Sequence, residues 1–241
     1  MIKWLERLSL DAVIVAVVWG YVLGDLGGKI PDWKTLLVLA LSTWLTYVAD
    51  RLRDVGKRGG VPETDRHLYY KNNYRIFSIL WIALFMVDLI VAWFILPEWK
   101  ILWGIVLVSG IIAYLSIVRR IAHPSVRIAF KRLAVPLIFT AGVCLMSESW
   151  HSTEGVHGSL ILLLGSISNL VLISWWEDQE KKMPWLLPVW IIFLMTLIAC
   201  GLPGLIGAAC FALIGWLCQK NRGVPLRAMA DGVLVIIAGI L

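Results

Sequence analysis

The chain has 241 residues, of which 60% are hydrophobic and only 16% charged, and its mean hydropathy is +0.82. Soluble domains carry about a quarter charged residues and a membrane span needs about 20 mostly apolar ones. The composition therefore excludes a soluble domain of ordinary size and reads as an integral membrane protein, a single transmembrane domain over 1–241. The net charge of +6 sits in connectors between apolar stretches, so it reads as topology charge facing anionic lipid, with no nucleic-acid partner.

In chain order, nine apolar stretches are read at roughly 9–24, 34–50, 74–96, 99–118, 133–148, 157–176, 184–201, 203–219 and 225–241. Lys3 and Arg7 precede the first, with no clean small-residue cleavage site behind it, so it is expected to be a retained span and not a removed signal peptide. Pro97, Pro184, Pro203 and Pro225 stand at or near span ends, where a missing N–H is tolerated. Cys144, Cys200, Cys210 and Cys218 all fall inside apolar stretches without C-x-x-C spacing, and are expected to be small buried hydrophobes.

Of the 22 Lys and Arg residues, all but Lys29, Lys34 and Lys100 fall on one side of this alternation. The positive-inside rule then predicts an all-α, nine-transmembrane-helix bundle with a cytoplasmic N-terminus and the C-terminus outside, in the cytoplasmic membrane. The connectors 51–73 and 119–132 are the long ones, and both lie on the cytoplasmic side. Loops held by a rigid scaffold commonly carry function, so the working face is expected there.

The chemistry-bearing residues concentrate at two span ends on that face. Asp50 and Asp54 stand one helical turn apart, among Arg51, Arg53, Lys57, Arg58, Arg66 and Lys71. Magnesium takes carboxylate oxygens, keeps several waters and bridges to substrate phosphates, so an acidic pair in a basic surround suits a metal-bound phosphate ester. Alternatively, the pair closes on its own helix, Asp50 with Arg53 and Asp54 with Arg51 or Lys57. Span six ends in the second acidic cluster, Glu177, Asp178 and Glu180, with Asn169 about two turns inside. Two such clusters could hold divalent ions against a leaving diphosphate; Lys181 and Lys182 would neutralise the second if it is merely a solvated end.

The connector 119–132 adds His123, Arg127, Lys131 and Arg132 as phosphate-binding cations or as topology charge. Asp231 is expected to pair with Arg227 one turn earlier. Asp88 lies deep in span three without a local partner, a functional position by default or one half of an interhelical hydrogen bond, and Asp11 is a candidate for the same cavity. Trp44, Trp175 and Trp176 flank the acidic mouths, as membrane-belt residues or as aromatic faces for a carbocation. The sequence has no P-loop, no H-E-x-x-H, no G-x-S-x-G and no D-G-x-x-A-R pattern, and its histidines lack metal spacing.

These residues resemble the UbiA superfamily of intramembrane prenyltransferases, which has nine transmembrane helices, an N-terminus inside and aspartate-rich motifs at the cytoplasmic ends of helices two and six. The N-x-x-x-D-x-x-x-D motif appears as Thr46, Asp50 and Asp54, with Asp50-Arg51-Leu52-Arg53-Asp54 keeping the D-R-x-x-D core. Y-x-x-x-K appears as Arg127 and Lys131, followed by Arg132, and Arg227-Ala-Met-Ala-Asp231 looks like the last-helix pattern. Thr46 and Arg127 replace the asparagine and the tyrosine, and the second motif lacks a well-spaced D-x-x-x-D. The resemblance implies a Mg2+-dependent transferase that moves an isoprenoid group from a prenyl diphosphate to an aromatic or lipid acceptor. Asp50, Asp54, Glu177 and Asp178 would hold the metal. Lys131 would act with them, and Arg51, Arg53, Thr46, Asn169, Arg127, Arg132 and Lys71 would contact substrate. A terpene cyclase, or a non-catalytic prenyl-lipid binder or transporter on the same scaffold, is the alternative.

Overall fold

The computed structural model describes residues 8–55, 65–177, 201–220 and 226–241, together with positions 191, 194 and 198. Among the described residues the chain is all-helical, without strands. Its helices are α1 (Leu10–Leu26), α2 (Trp33–Val55), α3 (Asp65–Asn72), α4 (Tyr74–Ile95), α5 (Glu98–Arg120), α6 (Pro124–Ser147), α7 (Thr153–Glu177), α8 (Leu202–Lys220) and α9 (Leu226–Ala238). Five of them, α2, α4, α5, α6 and α7, are long and apolar enough to cross a membrane. At 1.5 Å per residue the 22 residues of α4 reach about 33 Å, the thickness of a hydrocarbon core. The stretch predicted at 184–201 lies outside the described residues apart from positions 191, 194, 198 and Gly201.

Each of the other eight predicted stretches coincides with a described helix, but their ends differ. Helix α2 runs five residues past the apolar stretch, to Val55, because the charged D-R-L-R-D-V segment keeps good helix formers and i, i+3 charge pairs. The connector after it carries the extra helix α3. Helix α6 begins at Pro124, well before the predicted 133. Pro124 sits at N1, where its fixed φ and missing N–H start a helix at no cost, and so Arg127, Lys131 and Arg132 are helical residues and not loop cations.

Helix α1 is the hub and packs against α2, α6, α7 and α9. Its buried positions, Ala12, Val15, Ala16, Trp19, Gly20 and Leu23, recur at helical spacing, and the small ones let neighbouring helices approach. The Trp19 indole N–H donates to the carbonyl of Leu234 on α9 at 2.9 Å. Helix α4 lies outside α2, α5 outside α6, and α8 against α7 and α9. The outward faces of α4 and α5 are apolar and open, with Ile79, Ile82, Leu89, Trp93, Leu102, Ile105 and Ile112 all exposed. Contiguous apolar surface on this scale belongs against lipid and not water.

Polar bonds mark the seams. Deep between α2 and α4, Ser42 donates its hydroxyl to Asp88 Oδ2 at 2.7 Å, and the Trp81 indole donates to the Leu45 carbonyl. The partner of Asp88 is thus a serine on α2, a position without any local sequence signal. At the end of the bundle where α1 meets α2 and α6 meets α7, Lys100 stands 2.8 Å from Glu148 and Lys29 3.3 Å from the same carboxylate. Burial alone would raise Glu148, but the hydrogen bond and charge of Lys100, then those of Lys29, outweigh it and hold the carboxyl below its ordinary value of 4.5. The half-buried Cys144 and Cys210 are both free thiols.

Candidate functional site

The opposite end of the bundle carries the residues singled out by the sequence. There the last turns of α2 present Asp50, and the early turns of α6 present Lys131, whose ammonium lies 4.0 Å from Asp50 Oδ1. The same oxygen accepts from Arg53 at 2.9 Å, an i, i+3 pair within α2. Arg53 also donates to the carbonyl of Leu115 on α5 at 3.2 Å. Helices α2 and α6 therefore meet at one carboxylate, and Arg53 ties α5 to it. The alternative helix pair of Asp50 with Arg53 is present, and Lys131 joins it from a distant part of the chain.

Of the other candidates, Arg51 is partly buried on α2, while Lys71 on α3 and Arg127 on α6 are exposed. Arg132 is nearly fully buried beside Lys131. Thr46 does not offer its hydroxyl to the mouth: it donates back to the Ser42 carbonyl at 2.8 Å, as Thr does within helices. Trp44 is buried and donates its indole N–H to the Leu8 carbonyl, a packing role. Asp54 and Glu177 lie on α2 and α7, but their side chains, like those of Trp175, Trp176 and Arg227, fall outside the described residues, as does Asp178 altogether.

Inside the mouth, α1, α2, α6, α7 and α9 enclose a cavity of about 30 Å³ lined by Tyr47, Ser166, Asn169 and Asp231 among apolar residues that include Val135, Pro136 and Phe139. Asn169 donates its amide N–H to Asp231 Oδ1 at 2.6 Å. Asp231 thus takes a partner from α7, while the side chain of Arg227, the partner expected from the sequence, lies outside the described residues. Asn169 is only 5% exposed and Ser166 only 7%, and neither Asn169 Oδ1 nor Ser166 Oγ has a hydrogen-bond partner among the described residues. Tyr47 lines the cavity and stands one turn before Asp50 on α2, and so links the cavity to the mouth. Pro136, inside α6, removes the N–H that would otherwise bond the carbonyl one turn earlier. Neither Asp88 nor Asp11 lines this cavity.

Tyr47 and Ser166 were not among the sequence candidates. Their signals were available, since Tyr47 stands one turn before Asp50 and Ser166 one turn before Asn169, on the same helix faces.

Asp50 suits magnesium as a hard oxygen donor, and the cations around it suit a phosphate. Among the described residues no three His, Cys, Asp or Glu side chains converge, and the three carboxylates that would complete the set lie outside them. The chain matches no family model, and no curated protein or solved structure is significantly similar to it.

Proposed function

We propose that the chain is a magnesium-dependent intramembrane prenyltransferase of the UbiA type. In this reading it has nine spans and an N-terminus in the cytoplasm, and it moves an isoprenoid group from a prenyl diphosphate to a hydrophobic acceptor at the cytoplasmic face of the membrane. The supporting observation is the meeting of Asp50 and Lys131 at one mouth, each one helical turn from a residue, Tyr47 or Val135, that lines the Asn169–Asp231 cavity.

A leaving diphosphate needs positive charge at its oxygens and a dry space behind its carbon. Lys131 and Arg53 supply the charge, Arg51 lies one residue from Asp50 on the same turn, and the apolar walls supply the dryness. Asp50, Asp54, Glu177 and Asp178 would hold magnesium, which when bound neutralises the diphosphate as it departs. Lys131 orients the leaving group, and Asn169 and Asp231 line the small cavity inside the mouth.

The test is diphosphate release from geranyl, farnesyl and geranylgeranyl diphosphate by the purified protein, with magnesium and with EDTA. Magnesium-dependent release that is lost in both Asp50→Ala and Asp54→Ala is the expected result, and undiminished release in both variants overturns the assignment. Products formed without an added acceptor separate a cyclase from a transferase. A second reading, a prenyl-lipid binder without chemistry, is favoured by the Asp50–Arg53 ion pair, which occupies the carboxylate that would bind metal. Binding of the prenyl diphosphate with no diphosphate release would select it.

A further inference from the structure

The cavity inside the mouth has a polar wall of a particular kind. Asn169 Oδ1 and the Asp231 carboxylate are acceptors, while the Ser166 and Tyr47 hydroxyls both donate and accept. Among the described residues that line it there is no Lys, Arg or His. An acceptor substrate that put a carboxylate here would set it beside the like charge of Asp231. A bare aromatic C–H would leave Asn169 Oδ1 and Ser166 Oγ as unpaired as they are now, and a buried polar atom without a partner is costly. A neutral O–H satisfies the wall: it donates to Asn169 Oδ1 or Asp231 and accepts from Ser166 or Tyr47. The size agrees, because about 30 Å³ holds a hydroxyl or a water and not a ring.

We propose that this cavity seats a neutral hydroxyl nucleophile, either water or the O–H of an organic acceptor, poised beneath the allylic carbon. The proposal rests on the prenyltransferase reading and deepens it. In the step, the allylic carbon–oxygen bond to the diphosphate breaks and its electron pair leaves with the diphosphate. A lone pair of the seated oxygen forms the new carbon–oxygen bond, and the proton of that hydroxyl passes to a carboxylate oxygen of Asp231. The products are diphosphate and a prenyl alcohol or prenyl ether.

The experiment supplies the full-length protein with geranylgeranyl diphosphate and magnesium in water enriched in oxygen-18, with and without 1-naphthol as the hydroxyl probe. It reads oxygen-linked product per diphosphate released. Labelled prenyl alcohol identifies water in the seat, and a naphthyl ether identifies an organic hydroxyl. Asn169→Leu and the milder Ser166→Ala are each expected to lower that ratio at least tenfold, with the cation diverted to diene. Ser109→Ala, on the exposed face of α5, leaves it unchanged. Diphosphate release with an unchanged ratio in both cavity variants, or with naphthol alkylated only on carbon, overturns the seat while the prenyltransferase reading stands. No release from the unaltered protein overturns both.

Discussion

Asp50 of α2 and Lys131 of α6 converge at 4.0 Å although they lie on helices far apart in the chain. An ammonium on a four-carbon stem is a compact, mobile charge, and here it is held near a carboxylate at the rim of an otherwise apolar space. If the mouth binds a diphosphate, Lys131 makes its contact mainly as the charge builds on the leaving oxygens. Lys131→Met should lower kcat/KM for a prenyl diphosphate about a hundredfold. Lys131→Arg, which keeps the charge, should recover much of that loss. Equal turnover in Lys131→Met and the unaltered protein would remove Lys131 from the mechanism.

At the other end of the bundle, Glu148→Gln leaves the Lys100 ammonium, which is nearly fully buried, without its carboxylate. Breaking one half of such a pair costs about 3–5 kcal/mol, so the variant should melt markedly lower in detergent at pH 7. The pH dependence follows from the depressed carboxyl. Because Glu148 is held below 4.5 when folded, its contribution is complete above that value and is lost as pH falls through the folded value. The melting temperatures of the two proteins should therefore draw together as pH falls below the ordinary glutamate range. A gap that does not narrow anywhere in the acid range would contradict the assignment.

Ser42→Ala removes the hydroxyl that serves Asp88 Oδ2, whose companion Oδ1 has no partner among the described residues. Hydrogen bonds between helices in lipid contribute about 0.5–2 kcal/mol, and a loss of that size should appear in the unfolding free energy. Ser109→Ala on the open face of α5 should cost under about 0.5 kcal/mol. Equal effects from the two changes would deny Asp88 a packing role at the α2–α4 seam.

Gly155 sits in the first turn of α7, where an added Cβ would run into the backbone carbonyl of Ser149. The Ser149 carbonyl, in the short 3₁₀ turn Ser149–His151 between α6 and α7, has no rotamer with which to yield. Gly155→Ala should therefore destabilise the protein by about 1–3 kcal/mol, as read by thermal melting, and an unchanged melt would show that the turn gives way.

The helices were legible because lipid imposes a simple rule: eight predicted stretches met eight described helices. Their ends were less so, since hydropathy marks where apolar character stops and not where the helix does. Arg127 to Arg132 looked like a loop for that reason, yet Pro124 had already set the helix going. The mouth was half legible, because Asp50 and Arg53 are neighbours on one helix, while the approach of Lys131 depends on how α2 and α6 pack. The Ser42–Asp88 and Asn169–Asp231 bonds left no local trace. Each joins residues dozens of positions apart, and serine or asparagine in an apolar run has no spacing rule that announces a partner.

The Glu148 carboxylate draws in Lys29 from the α1–α2 link and Lys100 from the start of α5. Beside it, the Ser152 hydroxyl donates to the Leu26 carbonyl at 2.7 Å. The bundle is therefore pinned by a shared carboxylate at each end, Glu148 at one and Asp50 at the other. Neutralising Glu148 would unfasten the α1–α2 link and the start of α5 from the α6–α7 corner in a single step.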